Sequence, residues 1–217
     1  MNKLKNFSRL IITVFLLVAI AACGIRGPAQ KTAKQIFVLR GTPQSSDQLA
    51  TVDHSGCSLR VSTPASAGGL NTARMAYSTE PNRLDYFAYH EWAAPPAKMI
   101  ASLVEARLDA TGQFKFVVSG APDIRTDFRL DSQITRLQQD FHADTSSVSL
   151  TLKVSLVEVG TRHLIASRTF SYRETAESAN ANAGVAAANH AVEQFIIDLS
   201  EFLQTTLTKA TCSDRAW

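Results

Sequence analysis

The chain has 217 residues, 45% hydrophobic and 19% charged, which is enough for one domain with a substantial core and too apolar for a disordered tail. Its 22 basic and 19 acidic residues give a formal charge of +3, and three of the basic ones, Lys3, Lys5 and Arg9, lie at the very start, so the remainder is balanced. With no basic excess and no Lys/Arg cluster, the electrostatic footprint of a nucleic-acid binder is missing.

The basic start leads into an apolar run from Leu10 to Ile20, broken only by Thr13, which closes on Ala21, Ala22 and Cys23. A basic start, a short apolar run and a small-residue exit are the parts of a secretory signal. The run is about half the length a helix needs to cross hydrocarbon, so a permanent span is not expected. Its exit looks like a bacterial lipobox, in which a peptidase cuts just before a cysteine that already carries diacylglycerol. Ala21 and Ala22 let the backbone enter a tight protease site, and only the Cys23 thiol can form the thioether. Residues 1–22 are thus expected to be a lipoprotein signal peptide, with Cys23 the lipid attachment site. Two or more acyl chains, palmitate among them, hold a protein to a bilayer stably where one chain does not. The other readings are an ordinary cleaved signal that happens to end in Cys, or an uncleaved anchor. Gly24 follows the cysteine, not the Asp that marks inner-membrane retention in resembling enterobacterial lipoproteins. The expected address is therefore the outer membrane, periplasmic face.

Residues 23–35 hold Gly, Pro, Gln, Lys and Ala with few large apolar groups and read as a flexible tether, leaving 36–217 as a single domain. Ile36–Leu39 fits a buried strand, Leu59 and Val61 begin a second, and Gly41–Gly56 and Thr63–Asn71 read as loops. Arg74–Ser78 and Leu84–Tyr89 form two strands joined by a turn at Glu80, Pro81 and Asn82. Pro95 and Pro96 mark a helix start, because proline's missing N–H would be unpaired there anyway. Met99, Ile100, Leu103, Val104 and Leu108 follow at helical spacing, and Gly112 ends the helix.

Phe114–Ser119 is a strand and Gly120–Arg125 a loop. Thr126–Phe141 begins with alternation, but its phase changes between Ile134 and Leu137, which calls for a bulge or bend. Val148, Leu150, Leu152, Val154 and Leu156 are five inward positions of a strand, with Ser149, Thr151, Lys153 and Ser155 facing out. A turn at Gly160–Arg162 returns the chain as a partner strand, His163–Tyr172. Finally, Asn182–Lys209 is a long helix whose stripe is Ala188, Val192, Phe195, Leu199, Phe202 and Leu203; Ile197, on its polar side, is a candidate interface residue. Four strands, a helix, four strands and a helix predict an α/β (α+β) sandwich, with a mixed, largely antiparallel sheet covered by two main helices. Its edge strands are places where a partner can add.

Of the three cysteines, Cys57 and Cys212 remain after lipidation, and in an oxidising periplasm they are a candidate disulfide; two unrelated thiols is the alternative. The five histidines, His54, His90, His142, His163 and His190, fall in five segments without metal-site spacing, so no metal site is expected. No phosphate-cradling glycine loop and no nucleophile elbow is present. Asp127, Asp131 and Asp140 are carboxylates that a fold could bring together as acid and base, but solvated strand and turn residues are the simpler reading. A hydrolase built from scattered His and Asp ranks last. Tyr86–Pro96 packs four aromatics and Glu91 into eleven residues. It reads either as a recognition surface of Tyr86, Tyr89, Glu91 and Trp92 or as a well-packed strand-to-helix corner.

This stretch also carries a family likeness. Arg74-Met75-Ala76-Tyr77, Leu84-Asp85-Tyr86-Phe87-Ala88-Tyr89-His90-Glu91-Trp92-Ala93 and Pro95-Pro96, with Asp127-Phe128-Arg129-Leu130, the Ala-rich Val185–Ala191 and the lipobox, resemble the ABC-type transport auxiliary lipoprotein family. That family includes the paraquat-inducible-type outer-membrane lipoproteins. The resemblance implies a non-catalytic subunit without a cofactor beyond the acyl and diacylglycerol groups at Cys23. Its partner would be a mammalian-cell-entry-domain protein and, through it, a permease and ATPase that move lipids or other apolar molecules between the inner and outer membranes. A homo-oligomer is compatible with this reading, and a periplasmic lipid-binding carrier is the alternative. The implied fold is akin to the N-terminal domain of the translocation protein TolB.

Overall fold

The computed structural model describes residues 33–41, 56–120, 123–142 and 145–207. The expected signal peptide, Cys23, His54 and Cys212 lie outside the described residues, as does most of the expected tether. In chain order the described elements are β1 (Gln35–Phe37), β2 (Ser58–Val61), β3 (Ala65–Ser66), β4 (Arg74–Ser78), β5 (Asp85–Trp92), α1 (Pro96–Ala110), β6 (Phe116–Ser119), β7 (Phe128–Phe141), β8 (Ser146–Glu158), β9 (Leu164–Ala176) and α2 (Ala181–Leu207).

Strand β7 is the axis of the sheet. One flank pairs antiparallel with β8 along its whole length, from Phe128 opposite Glu158 to Phe141 opposite Ser146, and β8 pairs antiparallel with β9. The other flank is tiled in parallel by three short strands in succession: Leu59 of β2 opposite Phe128, Ala65 of β3 opposite Gln133 and Tyr77 of β4 opposite Gln139. The sheet then forks, with β6 parallel to β2 on one branch and β5 antiparallel to β4 on the other, where β1 adds in parallel as the last strand. The result is an open mixed sheet with most of its ladder antiparallel. The register of β7 on β8 shifts between Ile134 and Arg136, where the sequence pattern changes phase. Because side chains alternate across a strand, the extra residue is what keeps Leu137 on the same face as Leu130 and Ile134.

That face is the core. Leu130, Ile134, Leu137, Leu150, Leu152, Val154 and Leu156 are all buried. Helix α1 lies on β2 and β6, α2 lies on β8 and β9, and the helices touch one another. Pro96 opens α1 as its first residue, and Ile100, Val104 and Leu108 face inward. The helix stops where Gly112, at φ 65°, donates its N–H to the Asp109 carbonyl at 3.2 Å, a left-handed conformation that glycine adopts without strain. Helix α2 starts at Asn180, whose side-chain carbonyl accepts the Ala183 N–H at 3.0 Å. Phe195 of its stripe meets Phe170 of β9 edge to face at 5.5 Å.

Three readings of the sequence need correction. Ile36–Leu39 is not a buried strand: β1 covers Gln35–Phe37, and Ile36 and Val38 are exposed because nothing among the described residues covers that edge of the sheet. The Thr63–Asn71 segment contains β3, whose two residues are too few to leave a pattern. Ser149 is buried, held by a carboxylate described below, and does not face solvent. Ile197 is half-buried on α2.

Candidate functional site

The aromatic stretch occupies β5, and the ladder explains its unevenness. Arg74 stands opposite Glu91 and Ala76 opposite Tyr86, so two steps along β4 match five along β5 and the segment between is pushed out of register. The four residues predicted as one surface do not share one environment. Tyr89 is 50% exposed, whereas Trp92 is 6% exposed and belongs to the core, so Trp92 is not a surface residue. Tyr86 is half-buried: its hydroxyl donates to the Gly69 carbonyl at 2.8 Å and the Arg74 guanidinium lies 3.8 Å over its ring. Glu91 is ion-paired with Lys34.

The rest of the aromatic density forms a chain of rings across neighbouring strands. Phe37 stacks on His90 at 5.9 Å, His90 meets Phe87 at 5.5 Å, and Phe87 and Tyr77 lie 4.8 Å apart beside Phe141. Phe37, Tyr77 and Phe141 come from three other strands, and nothing in their sequence spacing announces the grouping. Outside this chain, on β1 and directly after it, Ile36 and Val38 are 67% and 47% exposed. Strand β1 pairs only with β5 among the described residues. Its other edge presents backbone N–H and C=O groups beside an apolar surface made of Ile36, Val38 and Tyr89.

The three carboxylates stand apart, each taken up by its own partners. Asp127 accepts the Ser58 backbone N–H at 2.7 Å and hydroxyl at 2.6 Å, clasping the start of β2 to β7. Asp131 accepts from Arg129 at 2.8 Å and from the Ser62 hydroxyl at 2.8 Å. Burial raises its pKa, but the hydrogen bonds from Arg129 and Ser62 outweigh that and hold it below the usual carboxylate range. No acid–base pair arises among these groups, and no group of three His, Cys, Asp or Glu among the described residues is placed to hold a metal. Cys57 is fully buried and disulfide-bonded; its expected partner, Cys212, lies outside the described residues.

Asp140 sits among polar partners. Gln139 is directed toward the helices, where an added Cβ on Gly184 would lie 2.1 Å from its amide oxygen. Strand alternation therefore turns Gln138 and Asp140 to the opposite face of the sheet. There the Asp140 carboxylate, 8% exposed, accepts from the Ser149 hydroxyl at 2.6 Å, the Gln138 amide at 2.6 Å and Arg136 at 3.1 Å, with Arg173 at 4.0 Å. Arg136, Gln138, Asp140 and Arg173 form the floor of a cavity of about 540 Å³ whose wall is the β4–β5 turn, including Arg83. Burial alone would push the Asp140 carboxyl up. The hydrogen bonds from Ser149 and Gln138 and the charge of Arg136 outweigh it, so the group lies below the usual carboxylate range. A carboxyl with a depressed folded-state pKa stabilises the fold above the unfolded-chain value and loses that contribution as pH falls through the folded-state value. Thermal unfolding followed from pH 6 downward is thus expected to show a steeper acid loss in wild type than in Asp140→Asn, which has no proton to gain there. Parallel acid limbs in the two proteins would contradict this role.

A family model described as the ABC-type transport auxiliary lipoprotein component matches residues 37–199. Among solved structures, the fold is similar to protein XCC0632 from Xanthomonas campestris, of family DUF330, at 22% identity and a TM-score of 0.70, covering 81% of this chain and 97% of that one. A second crystal structure, of an uncharacterized protein, is similar at 14% identity and a TM-score of 0.62, covering 79% of this chain and 99% of the other. No curated protein matches. At these identities the two structures speak to the fold alone.

Proposed function

The chain belongs to the ABC-type transport auxiliary lipoprotein component family, and on that footing we propose that it is a non-catalytic docking subunit. In this reading, lipid at Cys23 holds the domain to the periplasmic face of the outer membrane. There it receives a mammalian-cell-entry-domain protein, whose permease and ATPase drive the movement of lipids or other apolar molecules between the two membranes. The observation that supports docking is the β1 edge: Ile36, Val38 and Tyr89 are exposed together, next to backbone groups that a partner strand can pair with. An unpaired strand edge gives affinity through main-chain hydrogen bonds, and apolar side chains beside it give selectivity. The alternative, a lipid carrier, needs an apolar chamber for acyl chains. The 540 Å³ cavity, floored by Arg136, Gln138, Asp140 and Arg173, offers such a carrier little support.

The test is capture of the mammalian-cell-entry-domain partner by the full-length chain in detergent. Ile36→Asp combined with Tyr89→Ala is expected to lose most of the capture while unfolding at the wild-type temperature. Leu164→Asp, a substitution at another exposed apolar position, on β9, is expected to retain it. Equal capture by all three proteins would remove the β1 edge from the interface.

A further inference from the structure

We propose that the cavity on the helix-free face of the sheet binds a phosphate group, with Arg136 and Arg173 as its ligands. Two guanidinium groups lie within 4.0 Å of the single Asp140 carboxylate. One negative charge beneath two positive ones leaves a positive surplus at the floor. Asp140 itself is unavailable to a ligand, because Ser149 and Gln138 occupy its oxygens at 2.6 Å each and its side chain is 8% exposed. It acts as a buried peg that fixes the two arginines. The guanidinium groups remain accessible, with side chains 48% and 62% exposed.

Donor arithmetic points the same way. A guanidinium carries five N–H donors in a planar fork. Arg136 uses one terminal nitrogen on Asp140, whereas Arg173 directs its Nε to the Ser147 hydroxyl at 3.1 Å and one terminal nitrogen to the His142 ring at 3.4 Å. Among the described residues, each arginine thus keeps a terminal nitrogen for a tetrahedral anion, the geometry that arginine forks match best. At the wall, Arg83 is paired with Asp85 at 2.7 Å and lies 3.7 Å from Glu80; Glu80, 68% exposed, is the one other carboxylate lining the cavity among the described residues and offsets one positive charge at the rim, so the positive surplus is local to the floor. Leu70, Pro81, Leu84 and Phe141 line the same space, so the phosphate can carry an apolar remainder. Phosphate is the shared chemistry of two sources, a phospholipid headgroup and the free ion. The site does not depend on the docking reading, since it is measured on the purified chain without a partner.

Calorimetric titration of the full-length chain in neutral detergent tests it, with dihexanoylphosphatidylglycerol and inorganic phosphate as separate probes. Binding of the phospholipid alone assigns the site to a headgroup, and equal binding of phosphate assigns it to the free ion. In either case Arg136→Gln/Arg173→Gln is expected to weaken binding at least about tenfold. Arg162→Gln/Arg168→Gln removes the same charge elsewhere and is expected to leave binding unchanged. Because the first pair also strips partners from Asp140, Arg173→Gln alone serves as the variant that keeps the fold, with a several-fold loss expected. Binding of neither probe, or equal weakening by both double variants, would overturn the proposal.

Discussion

Replacing Trp92 with alanine is expected to cost about 3–5 kcal/mol of folding stability, the range for deleting a buried large aromatic. Trp92 is 6% exposed, stands opposite Phe37 in the β1–β5 ladder and donates its backbone N–H to the Ala73 carbonyl at 2.7 Å. Its indole is therefore packed in the core where β5 ends and the corner into α1 begins. Tyr89→Ala, three residues earlier and half in solvent, is expected to change stability by no more than about 0.5 kcal/mol. Chemical unfolding of both proteins separates them. The contrast bears on function, because a Trp92→Ala protein that fails to capture a partner has lost its fold and says nothing about an interface. Equal stability of the two variants would place Trp92 outside the core.

The second large effect concerns Cys57, which is fully buried at the start of β2 and accepts the Lys115 N–H on its carbonyl at 2.8 Å. We propose that its disulfide partner is Cys212, as the cysteine count suggests once Cys23 is given to lipid. That bridge would close a loop of about 155 residues, which in the chain-entropy model removes roughly 5 kcal/mol of denatured-state freedom. Cys212→Ser is then expected to lower stability by about 2–5 kcal/mol, and non-reducing peptide mapping of wild type to yield a linked pair containing Cys57 and Cys212. Unchanged stability together with a different linked pair would reject the bridge.

Much of the fold is legible in the sequence because it depends on local alternation. The inward series Val148 to Leu156, the hairpin to β9, the phase change after Ile134 and the proline start of α1 all follow from periods of two and 3.6 residues and from proline's missing donor. The fork of the sheet is not legible. Strands β2, β3 and β4 each contribute two or three residue pairs to β7, and such short contacts are decided by tertiary fit and not by propensity. The site divides along the same line. Aromatic density in β5 is visible, and alternation alone puts Tyr89 and Trp92, three residues apart, on opposite faces; which of the two faces is covered depends on how β5 packs in the sheet, and that is not visible. Ser149 reads as an outward residue by parity, and it does leave the apolar face. Its burial comes from Asp140, whose place beneath Arg136 and Arg173 is a property of the paired strands.

The proposed role depends on covalent attachment to a bilayer, and the direct measurement is labelling of cells with radioactive palmitate followed by membrane fractionation of wild type and Cys23→Ser. Wild type is expected to carry label and to sediment with the outer membrane, while Cys23→Ser carries none and leaves that fraction. Label-free wild type, or a Cys23→Ser protein that remains in the outer membrane, would contradict it.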